Sequence, residues 1–176
     1  FKPDTRQSPL PLMKLEQVRF EDVHADFLKR FEKYRGYQTV AGDFREGERY
    51  SSFSLAIYTR TYNNRAGGIR PVGKIGNHEA VVVNITLSGG RYANEWLEEG
   101  RKLKCYMRSP QKKRTLSDDG HDANRSILKY PHVPVLVFTR NSGEGDFLYH
   151  GIFRYAQATA DFEGRKFFEL TKREGV

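Results

Sequence analysis

Cysteine is almost absent from this chain: Cys105 is the only one, and the chain also has only two Met and one Trp. A single cysteine excludes an internal disulfide and a cysteine-rich zinc site, and a reducing compartment is the simple expectation. Long apolar runs are also missing, since no stretch approaches the roughly 18 residues that a membrane span needs. The start of the sequence has no signal-peptide core.

Catalytic motifs are missing as well. The chain has no P-loop, no GxSxG nucleophile elbow and no HExxH zinc pair. Cys105 falls on the apolar side of an alternating segment, which is typical of an inert buried thiol. We therefore expect a binding module without catalysis, cofactor or metal. The enzymatic alternative is a divergent metal-dependent nuclease that uses Glu98, Glu99 and His121.

Aromatic residues and positive charge are abundant in the 176 residues. Ten Tyr and twelve Phe argue against general disorder. Thirty Lys and Arg against 22 Asp and Glu give a net charge of +8. A basic domain attracts polyanions, of which nucleic acid is the commonest.

The chain divides into a short arm and one domain. Residues 1–13 contain three prolines and no periodicity, which predicts an extended arm or linker, and residues 14–176 form the predicted domain. Phe20, Val23, Phe27 and Phe31 recur at spacings of three and four, so a helix is predicted over about 20–35. Because the sequence begins with Phe1 rather than Met, we expect a fragment of a longer protein.

The rest of the sequence has the pattern of a β-rich fold. Strands are predicted at residues 53–59, 79–87, 101–108 and 133–139, and a closing hairpin at 147–171 that turns at 161–164. Three loops separate them, at residues 63–76, 89–100 and 109–122. Several strands at short spacing with few helices predict a mixed sheet curled into a barrel.

Positive charge is densest between residues 101 and 114, which contain seven bases and no acid. Each Lys or Arg that meets a phosphate displaces a condensed counterion, so this stretch is a candidate for contact with DNA. The alternative is a solvated charged face. Trp96, in the preceding loop, is predicted to pack rather than to contact DNA.

Several segments, taken in order, resemble the SRA (SET- and RING-associated) domain, a reader of modified cytosine in DNA. The matching pieces are the AGI-like loop at 66–69, the EAVVVNITLSGG strand at 79–90, the tyrosine loop at 92–100, the NRSIL helix at 124–128, the strand at 133–140 and the YHGIFR motif at 149–154. The resemblance covers about residues 44–172. It implies an α+β fold, an SRA-like (PUA-type) twisted mixed β-barrel flanked by a few helices.

The resemblance also implies a function, in which a modified base is swung out of the duplex into an aromatic pocket. The pocket positions that match are Tyr92, Asn94, Glu95, Tyr106 and Met107. Asn94 and Glu95 stand near the place of the family's base-reading Asp, and Met107 stands where the family often has Thr. These departures leave the identity of the flipped base open.

Two loops would hold the opened duplex: residues 68–73 would enter the minor groove and residues 109–122 the major groove. The implied DNA contacts are Arg70, Pro71, Val72, Arg91, Arg108, Lys112, Lys113, Arg114 and Arg125. The implied partners are duplex DNA that contains 5-methylcytosine or 5-hydroxymethylcytosine and a linked effector domain such as a nuclease, in the bacterial nucleoid or a eukaryotic nucleus. The rival binding function is a PUA-like reader of RNA or of another DNA modification such as phosphorothioate.

Overall fold

The computed structural model describes residues 44–59, 68–87, 93–108 and 122–174. The predicted arm at 1–13 and the predicted helix at 20–35 lie outside these ranges. In chain order the elements are β1 (Arg49–Tyr50), α1 (Ser52–Thr59), β2 (Ile69–Val72), β3 (Ala80–Thr86), β4 (Glu95–Glu98), β5 (Lys102–Tyr106), α2 (Asp122–Leu128), β6 (Val135–Arg140), β7 (Phe147–Ala160) and β8 (Lys166–Lys172).

The strands form one twisted mixed sheet in the order β2-β3-β6-β7-β8-β5-β4, and β1 pairs with β7. Only β3 and β6 are parallel, with Val81 opposite Val135; the other neighbours are antiparallel. The predicted barrel is corrected in one respect: within the described residues the sheet is open, with β2 and β4 at its edges. It is nevertheless strongly curled, because Ile69 of β2 and Leu103 of β5 belong to one core cluster.

Two core clusters cover opposite faces of the first half of the sheet. Val81, Val83 and Val137 belong to one cluster, with Ile127 of α2, and Val82 and Leu136 belong to the other, with Leu55 of α1. Burial on both faces explains why β3 and β6 are continuous apolar runs. In β5 the alternation is as predicted, since Leu103 and Cys105 are buried and Lys102 is exposed.

Helix α1 replaces the strand predicted at residues 53–59, so that prediction was wrong. The side chains from Ser54 to Thr59 are all buried, and the alternation that suggested a strand has no solvent-facing side to match. Ser51 begins the helix, because its Oγ accepts a hydrogen bond from the backbone N–H of Ser54 at 3.1 Å. A serine immediately before an apolar run was the available signal.

We predict that Ser51→Ala lowers the free energy of unfolding by about 0.5–2 kcal/mol, the usual contribution of an N-cap side chain. The variant leaves the N–H of Ser54 without its acceptor at the start of a buried helix. Denaturant-induced unfolding followed by circular dichroism measures the change. Ser51→Thr, which keeps a hydroxyl, should stay near the wild type, and equal losses in both variants would contradict the capping role.

The β7–β8 hairpin has the predicted form. Its turn is made by residues 161–165, where the N–H of Gly164 donates to the C=O of Asp161 at 2.9 Å. Gly164 has a φ of +82°, a conformation that favours glycine.

Cys105 is buried, and desolvation raises the pKa of its thiol to about 12, as expected for an inert thiol. None of the described helices has the length and apolarity needed to cross a membrane.

Candidate nucleic-acid interface

Tyr106, the last residue of β5, points away from the core and is half-buried. Its hydroxyl donates a hydrogen bond to Oδ2 of Asp161, in the β7–β8 turn, at 2.9 Å. Its backbone N–H donates to Oδ1 of Asn94, just before β4, at 2.8 Å. The residue is therefore held at its backbone and at the tip of its ring by two separate parts of the chain.

The ring of Tyr106 lies in a group of aromatic and cationic side chains. Phe167, its partner on β8, meets it edge-on with ring centroids 5.7 Å apart. Lys104 Nζ is 5.1 Å from the centroid of Tyr106, and Arg165 Cζ is 5.9 Å from it. Cations at this distance are attracted by the negative face of an aromatic ring. The outer face of β5 and β8 thus combines a fixed aromatic ring with positive charge.

The hydrogen bond between Tyr106 and Asp161 contributes to the pKa shifts of both groups. Desolvation, and then the contact with Asp161, raises the pKa of Tyr106, so the phenol remains neutral and can donate. For Asp161 desolvation acts upward, but it is outweighed by the hydrogen bonds from the backbone of Arg165, the Tyr106 hydroxyl and the backbone of Glu163, which lower its pKa. The carboxylate form of Asp161 is therefore the one that holds this arrangement together.

We expect acidification to weaken this contact. A carboxyl whose pKa is lowered by folding stabilises the folded state above its unfolded pKa, and loses that contribution as the pH falls through its folded pKa. The stability difference between wild type and Asp161→Asn should therefore shrink as the pH drops below the ordinary value of 3.8. Urea unfolding at a series of pH values measures it. A difference that stays constant through the acid range would contradict the assignment.

Glu95 and Lys104 form an ion pair across β4 and β5, with 3.5 Å between Oε1 and Nζ. The Glu95 side chain is 57% exposed and that of Lys104 only 18%. Lys104 therefore lies between the Glu95 carboxylate and the rings of Tyr106 and Phe167. Glu95 is thus an exposed carboxylate that shares a neighbour, Lys104, with the ring of Tyr106.

Acidic side chains offset part of the positive charge of residues 101–108, the described part of the basic stretch at 101–114. Arg101 pairs with Glu98 and with Glu174, and Lys102 lies 4.0 Å from Glu98. These acids come from β4 and from the residues after β8, so an absence of acids between residues 101 and 114 does not mean an absence of acids in space. Lys112, Lys113 and Arg114 lie outside the described residues.

The other predicted pocket residues have different environments. The side chain of Asn94 is engaged with the backbone of Tyr106. Met107 is 2% exposed and belongs to the core, with its N–H bonded to the C=O of Lys166 at 3.1 Å. Met107 is therefore a core residue that follows Tyr106 in the sequence. Tyr92 and Arg91 lie outside the described residues.

The predicted minor-groove loop is in part a strand. Residues 69–72 form β2, in which Pro71 lies opposite Val81, and Val72 is 2% exposed in the core. The prediction of a loop was therefore wrong for these residues, and Val72 does not lie at a loop tip. Arg70 is half-buried on the same strand. Gly68 is required just before it, because a Cβ there would lie 2.6 Å from the carbonyl oxygen of Asn84.

Asn124, at the start of α2, joins the two ends of the segment 109–121. It is fully buried; its Oδ1 accepts from the N–H of Arg108 at 2.9 Å and its Nδ2 donates to the C=O of Arg108 at 2.8 Å. This double hydrogen bond fixes the chain where the segment begins and where it ends. Arg125, predicted to contact DNA, pairs with Asp122 at 3.5 Å.

Three of the candidate elements meet at one end of the curled sheet. Because β4 and β8 both run antiparallel to β5, the end of β5, the start of β4 and the β7–β8 turn lie together. Gly68 of the AGI-like segment lies against β3, since its C=O accepts a hydrogen bond from the N–H of Asn84 at 2.8 Å.

The residues of the nuclease alternative do not form a metal site where the structure describes them. Glu98 contacts Arg101 and Lys102, and His121 lies outside the described residues. Within the described ranges, no three His, Cys, Asp or Glu side chains are placed to hold a metal ion.

Two roles were not visible in the sequence. Asp161 belongs to a predicted turn, but its contact with Tyr106 joins residues 55 apart. His78 is buried and lies 2.9 Å from the C=O of Ser126, so it connects the β2–β3 turn to α2. The packing predicted for Trp96 is confirmed, since its ring centroid lies 4.8 Å from that of His150 and 6.0 Å from that of Phe153.

Comparison with solved structures gives the fold. The chain is similar to Arabidopsis thaliana SUVH6 in complex with SAM, with a TM-score of 0.57, 21% identity and coverage of 99% of this chain and 35% of that one. It is also similar to the SUVH5 SRA domain in complex with fully methylated CG DNA, with a TM-score of 0.57, 16% identity and coverage of 78% and 94%.

A third similar structure is the DNA modification-dependent restriction endonuclease AspBHI, with a TM-score of 0.47, 18% identity and coverage of 77% and 70%. No family model and no curated protein matches the sequence. The fold is of the SRA type, as the sequence motifs predicted. The chain spans about a third of the length of the SUVH6 chain.

Proposed function

We propose that this chain binds duplex DNA that contains a modified base, 5-methylcytosine or 5-hydroxymethylcytosine, and that the base is flipped out of the helix and stacks on Tyr106. The observation that carries the proposal is the anchoring of Tyr106 by Asp161 and Asn94. The SRA-type fold supports it, because a structural neighbour, the SUVH5 SRA domain, is bound to methylated DNA.

The energetics of base flipping favour a ring that is already in place. Extrusion costs a few kcal/mol of stacking and pairing. One base–aromatic stack returns about 1–3 kcal/mol, provided that little entropy is lost in ordering the ring. The two hydrogen bonds of Tyr106 fix it before DNA arrives. Tyr92 would supply the second face of the pocket.

Glu95 is proposed to read the edge of the flipped base. A carboxylate accepts from the exocyclic amino group of cytosine. Lys104 Nζ lies 3.5 Å from Oε1 of Glu95 and pairs with one side of its carboxylate. Asn94 already uses its carbonyl oxygen on the backbone of Tyr106, so its proposed part is to support the pocket. Glu95 would therefore have the role of the family's base-reading Asp.

The backbone of the DNA is proposed to lie against the segment 109–121 and its flanks. This segment contains Lys112, Lys113 and Arg114. Asn124 of α2 fixes its two ends, because its side chain is bonded to the backbone of Arg108. Arg91 and Arg70 would contact the duplex from the neighbouring segments. Arg125 would do so only by giving up its pair with Asp122. A linked effector domain remains part of the proposal, and this chain would direct it to modified sites.

We predict that replacing Lys112, Lys113 and Arg114 together with Ser reduces the salt dependence of DNA binding. Each phosphate contact contributes about 0.9 to the slope of log K against log[salt], so three contacts contribute about 2.7. Titrations of one modified duplex at several salt concentrations measure the slope. Glu95→Gln is the comparison, because it should change base preference and leave the slope near the wild-type value. An unchanged slope in the triple variant would remove this segment from the phosphates.

Fluorescence anisotropy at one salt concentration tests the proposed function. The duplexes share one sequence and carry cytosine, 5-methylcytosine, 5-hydroxymethylcytosine or a phosphorothioate linkage, and an RNA duplex is included. We expect tighter binding to one of the modified-cytosine duplexes. Equal binding to all, or a preference for RNA or phosphorothioate, would contradict the proposal. Plasmid cleavage with Mg²⁺ or Mn²⁺ by this chain would favour the nuclease instead.

A further inference from the structure

Phe162, at the tip of the β7–β8 turn, is 99% exposed. The only other exposed large apolar side chain in the described ranges is that of Leu97, at 47%. A fully solvated Phe keeps its whole apolar ring in water, which costs free energy. The ring would recover that free energy by burial against a partner.

The turn that carries Phe162 is held rigidly. Oδ1 of Asp161 accepts from the N–H groups of Glu163 and Arg165, both at 2.9 Å. The N–H of Asp161 donates to the C=O of Arg165 at 2.8 Å, and that of Gly164 donates back to the C=O of Asp161 at 2.9 Å. The backbone on both sides of Phe162 is therefore fixed, and little entropy would be lost when its ring is bound.

The same turn holds Tyr106. Asp161 uses one carboxylate oxygen to fix the turn and the other to accept from the Tyr106 hydroxyl. Phe162 is the next residue along the chain, so the exposed ring lies beside the ring that is proposed to stack on the flipped base. A nucleobase at Tyr106 would bring the rest of the duplex close to Phe162.

The charges around Phe162 indicate which part of a duplex it meets. Asp161 and the exposed Glu163 flank the ring on both sides, and carboxylates repel phosphates. Arg165 and Lys166 follow, but they lie deeper and are half-buried. The tip of the turn is thus suited to the apolar faces of bases rather than to the sugar–phosphate backbone.

We propose that Phe162 is an aromatic wedge that stacks on the base pair beside the flipped nucleotide. Apolar side chains inserted between base steps are a known means of stabilising a distorted duplex, and flipping opens such a step. Asp161 sets the spacing between the wedge and Tyr106. The inference rests on the proposed function, because it needs a duplex whose modified base occupies the Tyr106 pocket.

Affinity measurements on three variants test the wedge. Phe162→Ala should bind the modified-cytosine duplex about 5- to 150-fold more weakly, the range for the loss of one base–aromatic stack, with a smaller loss on the unmodified duplex. Phe162→Trp should retain affinity, and Leu97→Ala is the matched control, expected to bind as the wild type does. Because Phe162 is fully exposed, its two variants should keep the wild-type unfolding temperature.

Fluorescence provides a second readout. In Phe162→Trp, emission of the new indole should be quenched when the modified duplex is added, beyond any change from Trp96 in the wild type. If the wild type prefers the modified duplex but Phe162→Ala binds equally well, or the Phe162→Trp emission is unchanged, the wedge is wrong and the proposed function stands. If the wild type shows no preference for modified DNA, the proposed function fails, and the wedge fails with it.

Discussion

Asn124→Ala is expected to lower the free energy of unfolding by about 2–4 kcal/mol, because it removes from a fully buried site the two hydrogen bonds that join the Asn124 side chain to the N–H and C=O of Arg108. Denaturant unfolding measures the loss. The variant should also bind modified duplex more weakly under conditions where it is folded, since the two ends of the segment 109–121 are no longer joined.

Two further variants separate the double hydrogen bond from general effects. Asn124→Asp keeps the acceptor for the N–H of Arg108 but places a carboxylate oxygen against its C=O at a fully buried site, so at neutral pH it should be at least as destabilising as Asn124→Ala. Asn141→Ala, in an exposed turn, should be nearly neutral. If Asn124→Ala were no more destabilising than Asn141→Ala, Asn124 would not be the clamp that its contacts indicate.

Tyr106→Ala is expected to weaken binding to the modified duplex by about 1–3 kcal/mol, the contribution of one stacked base. Binding to the unmodified duplex should change less, because no base occupies the pocket there. Anisotropy titrations of both duplexes give the two values. A loss that is the same on both would mean that Tyr106 contributes to folding or to general contact, and not to a base pocket.

Tyr106→Phe separates the ring from its hydroxyl. This variant keeps the stacking surface and loses the hydroxyl, and with it the hydrogen bond to Asp161. We expect an affinity between those of wild type and Tyr106→Ala, because the ring is present but less firmly held. An affinity as low as that of Tyr106→Ala would assign the whole effect to the hydroxyl and would contradict stacking.

The sequence predicted the parts of the fold whose burial is one-sided or complete. Alternation in β5 identified Leu103 and Cys105 as core and Tyr106 as outward-facing, and the β-branched run identified β3. The helix α1 was missed because it is buried on every side, so its sequence lacks the alternation of apolar and polar residues at helical spacing. The openness of the sheet could not be seen either, since which strands pair depends on contacts between distant parts of the chain.

The candidate site was predictable in its elements and not in its connections. Motif order identified Tyr106 and the segment around Glu95, because both fall at strand ends where loops carry function. The partners of Tyr106 come from 12 and 55 residues away, and no local pattern announces them. The acids that neutralise Arg101 and Lys102 are likewise brought together only by pairing between strands and at the end of the chain.

A crystal structure of this chain with a duplex that contains one 5-methylcytosine tests the central claim most directly. The account predicts that the modified base is rotated out of the helix, that its ring lies against Tyr106 and that Glu95 is within hydrogen-bond distance of its amino group. A complex in which every base remains paired and stacked, with Tyr106 away from the DNA, would contradict it.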